Sequence, residues 1–473
     1  MKVFLINPPA VDGVRMVREG RCMQRAGAWT AVWAPVSLAL TGGMLEADGH
    51  EVRLTDCIVE GVNSSEMAAQ VAAFRPDLVV LNAATPSIDG DLDRARIIKQ
   101  VMPGARVAAF GIHVTALPEQ SLNSGSEVDF VIRGEPESTV KDLVHAGLNP
   151  KGVPGISWRD GNEGYVHEPD REPIADLDSL HFPAWHLVDR KRYIMPFTDR
   201  RFLLIATGRG CPHRCAFCAD PAFYGRKLRL RSPEKVAEEM EYVGTGFGIR
   251  DFLFWSESFT LNRDYAVEVC EAILKRGLKT CWVANSRVDD VDPELLRLMK
   301  RAGCWVVGYG VEAGTDKSLK MMRKNVTVEQ IRRAIEWTVD AGIGAVAHTI
   351  IGYPGETEDE VNETIRFVKS LPLDFAQFYC AVPFPGSPLF DEAQREGWIN
   401  TRDWSRFEQN HSVLDTPWLS ARKVMELREK AFREFYLRPR AFVSAARYVQ
   451  SPGVALRMAR MLWDFGDWIR IEG

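Results

Sequence analysis

GRGCPHRCAFCAD, residues 208–220, carries the reading of this chain. Cys211, Cys215 and Cys218 fall at a Cys-x3-Cys-x2-Cys spacing, just after the apolar stretch RRFLLIAT (200–207). Thiolates are the ligands of iron–sulfur clusters, and a cubane has four irons to serve. Three cysteines serve three irons and leave one open to chelation by a small molecule. Gly208, Gly210 and Pro212 give a compact loop on which three thiolates can converge. Zinc also takes closely spaced cysteines, with His213 inside the loop as a further ligand, and the segment alone leaves that alternative open.

After the loop come five apolar strands, DFLFW (251–255), TCWVA (280–284), CWVVGYG (304–310), AVAHTII (345–351) and DFAQFYC (374–380), with helical stretches between them. One helix has a clear start at Asp292-Pro293-Glu294 and a stop at Gly303. With 200–207 this makes six βα units, short of the eight of a closed barrel, and predicts a partial, open (β/α)6 TIM-like barrel. Residues 1–145 alternate in the same way: KVFLIN (2–7), EVRLTD (51–56), DLVVLN (77–82), RVAAF (106–110) and VDFVI (128–132), with helices at 34–49, 64–73 and near 91–101. Buried strands separated by helices predict a doubly wound, Rossmann-like α/β sheet. Ligands of such sheets sit at the carboxyl ends of the strands, here NPP, FGIHVTALPE (110–119) and RGEPE (133–137).

Residues 146–195, rich in Gly, Pro and Asp, read as a linker with a small hairpin at GISWRDGNEGYVHEP (155–169). Residues 396–473 read as helical, closing on an apolar, basic stretch that either packs on the barrel or touches a membrane surface. The organisation is therefore 1–145, 146–195 (linker), 196–395 and 396–473. The chain has 473 residues, 46% hydrophobic and 26% charged, with a net charge of −5, so its charge makes no case for nucleic acid. Nine cysteines, three of them clustered, are not a disulfide framework, and the other six read as buried small hydrophobes. No signal peptide or membrane span is visible, and a cytoplasmic location is the expectation.

Cys-x3-Cys-x-aromatic-Cys, with Phe217 as the aromatic, resembles the signature of the radical S-adenosylmethionine (SAM) enzymes. The resemblance implies that the [4Fe–4S] cluster is held by Cys211, Cys215 and Cys218, with SAM chelated at the open iron. An electron then splits SAM to methionine and a 5′-deoxyadenosyl radical. FWSESFTLN (254–262), NSRVD (285–289), GVEAG (310–314) and IIGYPGET (350–357) resemble the SAM-binding segments in their order along the barrel. The likeness places Glu257 at the SAM amino group, where Ser256 replaces the first of two common acids. It puts Arg287 near the carboxylate, Glu312 near the ribose or amino acid end, and Gly352 and Pro354 beside adenine.

The N-terminal half resembles the cobalamin-binding domain of one large branch of that family, on LINPP (5–9), PVSLALTGGMLEADGHEV (35–52), FGIHVTALPE and RGEPE. Gly111, His113, Gly134 and Glu135 are the cradle residues this implies. The Asp-x-His-x-x-Gly motif that supplies a cobalt ligand elsewhere is absent. Asp56-Cys57-Ile58-Val59-Glu60-Gly61 holds Ile58 at the histidine position, so the expectation is cobalamin without a histidine ligand. The long loop VDGVRMVREGRCMQRAGAWTAVW (11–33) leaves the first strand's carboxyl end. It is expected either to face solvent or to place Trp29 and Trp33 on the corrin and Arg18, Arg21 and Arg25 on its amides or on substrate anions.

Three functions stay open on the sequence. The first is C-methylation of an unactivated carbon, as in the class B radical SAM methylases. The second is a radical oxidation or ring closure, as in the anaerobic magnesium-protoporphyrin monomethyl ester cyclases, which are similar from end to end, FYLRPR (435–440) included. The third is a corrinoid or iron–sulfur binding protein without turnover. A small-molecule substrate and an electron donor such as a flavodoxin or ferredoxin are the implied partners. His348 and Tyr379 are the candidates for substrate contact.

Overall fold

The computed structural model describes residues 1–19, 23–25, 32–124, 127–161, 164–195, 198–449 and 454–456. The first sheet contains β1 (Lys2–Asn7), β2 (Glu51–Asp56), β3 (Leu78–Asn82), β4 (Arg106–Phe110), β5 (Phe130–Ile132), β6 (Ile156–Arg159) and β7 (Tyr165–His167). Their order is β2-β1-β3-β4-β5-β6-β7, parallel as far as β5. β1 and β3 to β5 are almost wholly buried, and this is why they read as continuous apolar runs. The hairpin at 155–169 is a correction to the linker reading. β6 pairs antiparallel with β5 and β7 with β6, so the hairpin extends the first sheet.

The second sheet runs in chain order: β8 (Phe202–Ala206), β9 (Asp251–Trp255), β10 (Cys281–Ser286), β11 (Cys304–Glu312), β12 (Gly344–Ile351) and β13 (Phe375–Cys380), all parallel. This is the open six-stranded barrel. In β10 and β12 the partly exposed residues alternate with buried ones, so one side of each strand lines a hollow lumen. The expected helix after Asp292 spans Pro293–Arg301, and Asp292 Oδ1 accepts hydrogen bonds from the Glu294 and Leu295 amides. Two helices, Ala421–Tyr436 and Pro439–Tyr448, pack beside β13 and below it. Between 396 and 420 the expectation of helix fails. That segment has one short 3-10 turn, Trp404–Arg406, and a bridge between Ile399 and Leu414. Among the described residues, no helix is long and apolar enough to cross a membrane.

One apolar core runs continuously through both sheets. The segment after β4, Ile112–Ala116, packs on Pro221–Tyr224 just beyond the cysteine loop. Trp404 reaches back to the first sheet, edge-on to His113 with centroids 4.7 Å apart. The carboxyl edges of the two sheets therefore face each other.

Glu19 lies buried at the start of helix Val36–Ala47, where it accepts hydrogen bonds from the Ser37 amide (3.3 Å) and hydroxyl (3.1 Å). Burial pushes its pKa up from 4.5 to about 7 despite the Ser37 bonds. The unfolded carboxyl ionises near 4.5 while the folded one keeps its proton to about 7, so stability drops as pH rises through that window. Glu19→Gln should lack this drop, seen as a urea midpoint that falls less than the parent's between those pH values.

Candidate functional site

The cysteine loop leaves β8 through a short antiparallel ladder, Gly208–Arg209 against Arg229–Leu230. Inside it the Ala216 amide donates to Met322 O at 3.0 Å and the Cys218 amide to Cys215 O at 3.2 Å. Cys211, Cys215 and Cys218 are half-buried and all line the mouth of one cavity of about 350 Å³, which continues down the barrel lumen. His213, Glu257, Arg287 and Glu312 line the same cavity.

Each charged group at the mouth is held by neighbours. Arg287 is buried and forks onto Asp289 (2.9 Å from both Nε and Nη2), while Nη2 also donates to Lys324 O at 2.9 Å. Burial opposes its charge, but Asp289 raises its pKa above the ordinary value. Glu312 sits at φ 60° and pairs with Lys324 at 2.7 Å. Ser258 Oγ accepts from the Arg287 amide and donates to Asp290, whose pKa burial and Asp289 push up to about 6. Two residues that line the mouth carry buried polar atoms without protein partners, His213 Nε2 and Ser286 Oγ. Such a set suits a zwitterionic ligand beside a thiolate-bound cluster. Gly352 and Pro354 do not line the cavity. Gly352, at φ +78°, is turned to the helix Ala421–Tyr436, where a Cβ would stand 2.4 Å from Val424. Glu356 closes that turn by accepting from the Tyr353 amide at 2.9 Å. Deeper in, Tyr379 Oη lies 3.4 Å from His348 Nδ1.

At the first sheet's carboxyl edge, Asn7 Oδ1, Thr85 Oγ1 and His113 Nδ1 are buried without partners after β1, β3 and β4. Polar acceptors and donors orphaned at successive strand ends suit a ligand rimmed with amides, as a corrin is. Burial pushes His113 down to about 3, so it is a neutral ring at ordinary pH. Asp56 is engaged by Asn7, the Ile58 amide and Tyr193.

The other expected cradle residues make contacts within the protein. Gly111 (φ +140°) is required by the protein itself, because a Cβ would lie 2.0 Å from Ala83 O. Gly134 donates its amide to Thr115 Oγ1 at 3.0 Å, and a Cβ would make ordinary contact with Phe223 O. Glu135 is spent on ion pairs, with Arg229 at 2.5 Å and Arg209 at 3.2 Å. Arg18 belongs to a buried pair with Asp91 (2.6 Å) and donates to Pro8 O and Pro9 O. Arg25 lies 3.8 Å from Glu408. Trp33 packs edge-on to Trp255 at 5.1 Å and enters the barrel cavity with Gln24. Arg21, Trp29 and Cys22 lie outside the described residues.

The sequence reading overlooked the partners of Glu135. Glu137 meets Arg209 at 2.5 Å, and Arg229 also donates to Tyr224 O and Ile174 O. All four side chains are at most 4% exposed. Burial alone would lower the Arg209 pKa, and the Glu137 and Glu135 carboxylates hold it above its ordinary value.

Residues 205–368 match the family model of the Radical SAM superfamily, and residues 27–144 that of the B12 binding domain. The chain is 31% identical over 446 residues to an uncharacterized methyltransferase of Pyrococcus horikoshii, covering 94% of each. It is 30% identical over 427 residues to the anaerobic magnesium-protoporphyrin IX monomethyl ester cyclase of Cereibacter sphaeroides, covering 88% of this chain and 68% of that one. The structure of TsrM, a radical SAM methyltransferase from Kitasatospora setae, superposes with a TM-score of 0.67 at 20% identity, over 85% of this chain and 76% of that one.

The chain therefore belongs to the radical SAM enzymes that carry an N-terminal cobalamin-binding domain, which replaces the zinc alternative. Its cofactors are a [4Fe–4S] cluster, SAM and cobalamin.

Glu137→Gln should leave Arg209 and Arg229 to share the single carboxylate of Glu135 and cost about 3 kcal/mol in urea unfolding. Adding Arg209→Met should recover part of that loss, because no unpaired charge remains.

Proposed function

We propose that this enzyme methylates an unactivated carbon of a small-molecule substrate. The observation that carries the reading is the apposition of the two carboxyl edges: Ile112–Ala116, which follows β4 of the first sheet, packs on Pro221–Tyr224 just beyond the cysteine loop of the second. Two cofactors and a substrate held there react at high effective concentration. The end-to-end likeness to a relative named a methyltransferase supports it. When bound, the cluster supplies an electron, SAM the hydrogen-abstracting radical and cobalamin the methyl group.

Cys211, Cys215 and Cys218 hold the cluster in this reading. Arg287, oriented by Asp289 and Lys324 O, receives the SAM carboxylate, Glu257 its amino group, and Glu312 the ribose side. Asn7, Thr85 and His113 meet the corrin edge, with His113 as a neutral hydrogen-bonding ring and not a cobalt ligand. Gly111, Gly134 and Glu135 support that edge from behind through their contacts within the protein. His348 and Tyr379 hold the substrate and can share a proton between Nδ1 and Oη. A small one-electron carrier of the flavodoxin or ferredoxin kind supplies the reductant.

Radical cyclisation or oxidation without methyl transfer is the second reading, favoured by the likeness to the Cereibacter cyclase. Enzyme reconstituted anaerobically with cobalamin, reductant and methyl-labelled SAM separates the two, using extract from cells lacking the gene. Label entering a metabolite while 5′-deoxyadenosine accumulates is the expected outcome. Extract-dependent deoxyadenosine with no label transferred would select the second reading. Cys215→Ala should abolish deoxyadenosine release and lower bound iron.

A further inference from the structure

The barrel lumen divides into two layers of different chemistry. Phe202, Leu253, Val283, Val306, Val346 and Phe375 line its lower part, near the amino ends of the six strands. The register sets Leu253 beside Val283, Val283 beside Val306 and Val346 beside Phe375. A full barrel fills this region with branched side chains. Here the same positions line a hollow that stays open to the cysteine loop.

Above this hollow lies a polar belt of Asn285, His348, Gln377 and Tyr379. Gly308 makes the belt possible. A Cβ there would stand 2.6 Å from Asn285 Oδ1 and 2.9 Å from His348 Nε2, so the two side chains close in over bare backbone. The rings of His348 and Tyr379 lie parallel, 7° apart, with centroids 5.9 Å apart. The floor is Trp305 and Phe375, backed from below by Tyr448 of the helix Pro439–Tyr448 at 6.0 and 5.3 Å. Tyr448 is anchored by its hydroxyl to Asp374 at 3.1 Å, and Arg200 stacks on Trp305.

We infer that the substrate is an amphiphile that enters this lumen tail first. Its extended apolar body fills the lower hollow, and a hydroxyl or carbonyl group is held by the Asn285–His348–Tyr379 belt. The carbon next to that group then faces the mouth where the cysteines lie. This rests on the reading of the mouth as the SAM site and adds the chemical class of what lies beneath it. Burying a methylene against apolar walls strengthens binding roughly fourfold. A hollow closed by a floor gives that gain only until the chain reaches Trp305 and Phe375.

The test uses straight-chain primary alcohols from hexanol to dodecanol, titrated calorimetrically into the anaerobically reconstituted, SAM-loaded enzyme. Affinity should rise roughly fourfold per added methylene and then level off. Val346→Phe, which shortens the hollow, should bring the plateau to a shorter alcohol. Phe375→Ala, which opens the floor, should move it to a longer one. Affinity independent of chain length would overturn the inference, and so would one plateau common to all three proteins. Release of 5′-deoxyadenosine from SAM and reductant is followed in parallel. Its absence alongside an intact length series would sink the catalytic reading while leaving the substrate class standing. Its presence alongside a flat series would remove the substrate class alone.

Discussion

Two glutamates that follow the first sheet's β5 and two arginines from the ladder at the base of the cysteine loop meet out of water, and the working geometry hangs on that contact. Glu135 and Glu137 follow β5, while Arg209 and Arg229 are the two sides of the ladder from which the cysteine loop springs. Taking such groups out of water costs several kcal/mol each, and only close, multiply bonded partners offset it. A buried network of this kind therefore tolerates one arrangement, in which the cysteine loop cannot drift from the first sheet's edge. Chemistry that needs three bound molecules in one interior depends on that fixity.

A second constraint shapes the barrel. β11 contributes Gly308 and Gly310 where its neighbours contribute side chains, and the vacated space is used from both directions. Asn285 and His348 reach over Gly308, and the Glu312–Lys324 pair lies against Gly310. One strand thus spaces the polar groups of the mouth from those of the belt without filling the lumen. The tryptophan at 33, on a loop from the other domain, then narrows the same lumen by packing on Trp255.

The strands β1 and β3 to β5 of the first sheet were legible because they are buried on both faces and read as unbroken apolar runs, which tertiary context does not overrule. The cysteine loop was legible because its chemistry is local: three ligands within eight residues need no knowledge of the fold. What escaped depends on contacts distant in sequence. RGEPE looks the same whether Glu135 faces a ligand or Arg229, which is 94 residues away. Gly111 announces a close approach, but only the fold identifies Ala83 as what approaches. Arg18 read as facing either solvent or a ligand, and the fold encloses it instead with Asp91 and the carbonyls of Pro8 and Pro9. The hairpin at 155–169 was visible as a hairpin, but its docking on β5 was not, since an edge strand advertises its partner only through backbone groups. Residues 396–420 carry apolar side chains at no helical period because they are moulded to surfaces already present.

Trp404 belongs to that moulded segment, and its contacts set an order on how the protein comes into being. It covers His113 and joins the apolar cluster beneath the first sheet. Domains generally fold as units as they leave the ribosome, the N-terminal one first. Here the first sheet has all its strands once Tyr165–His167 has emerged, yet part of its apolar surface stays wet until the ribosome has read past the barrel. The nascent N-terminal domain is thus a surface awaiting a lid encoded more than two hundred residues downstream.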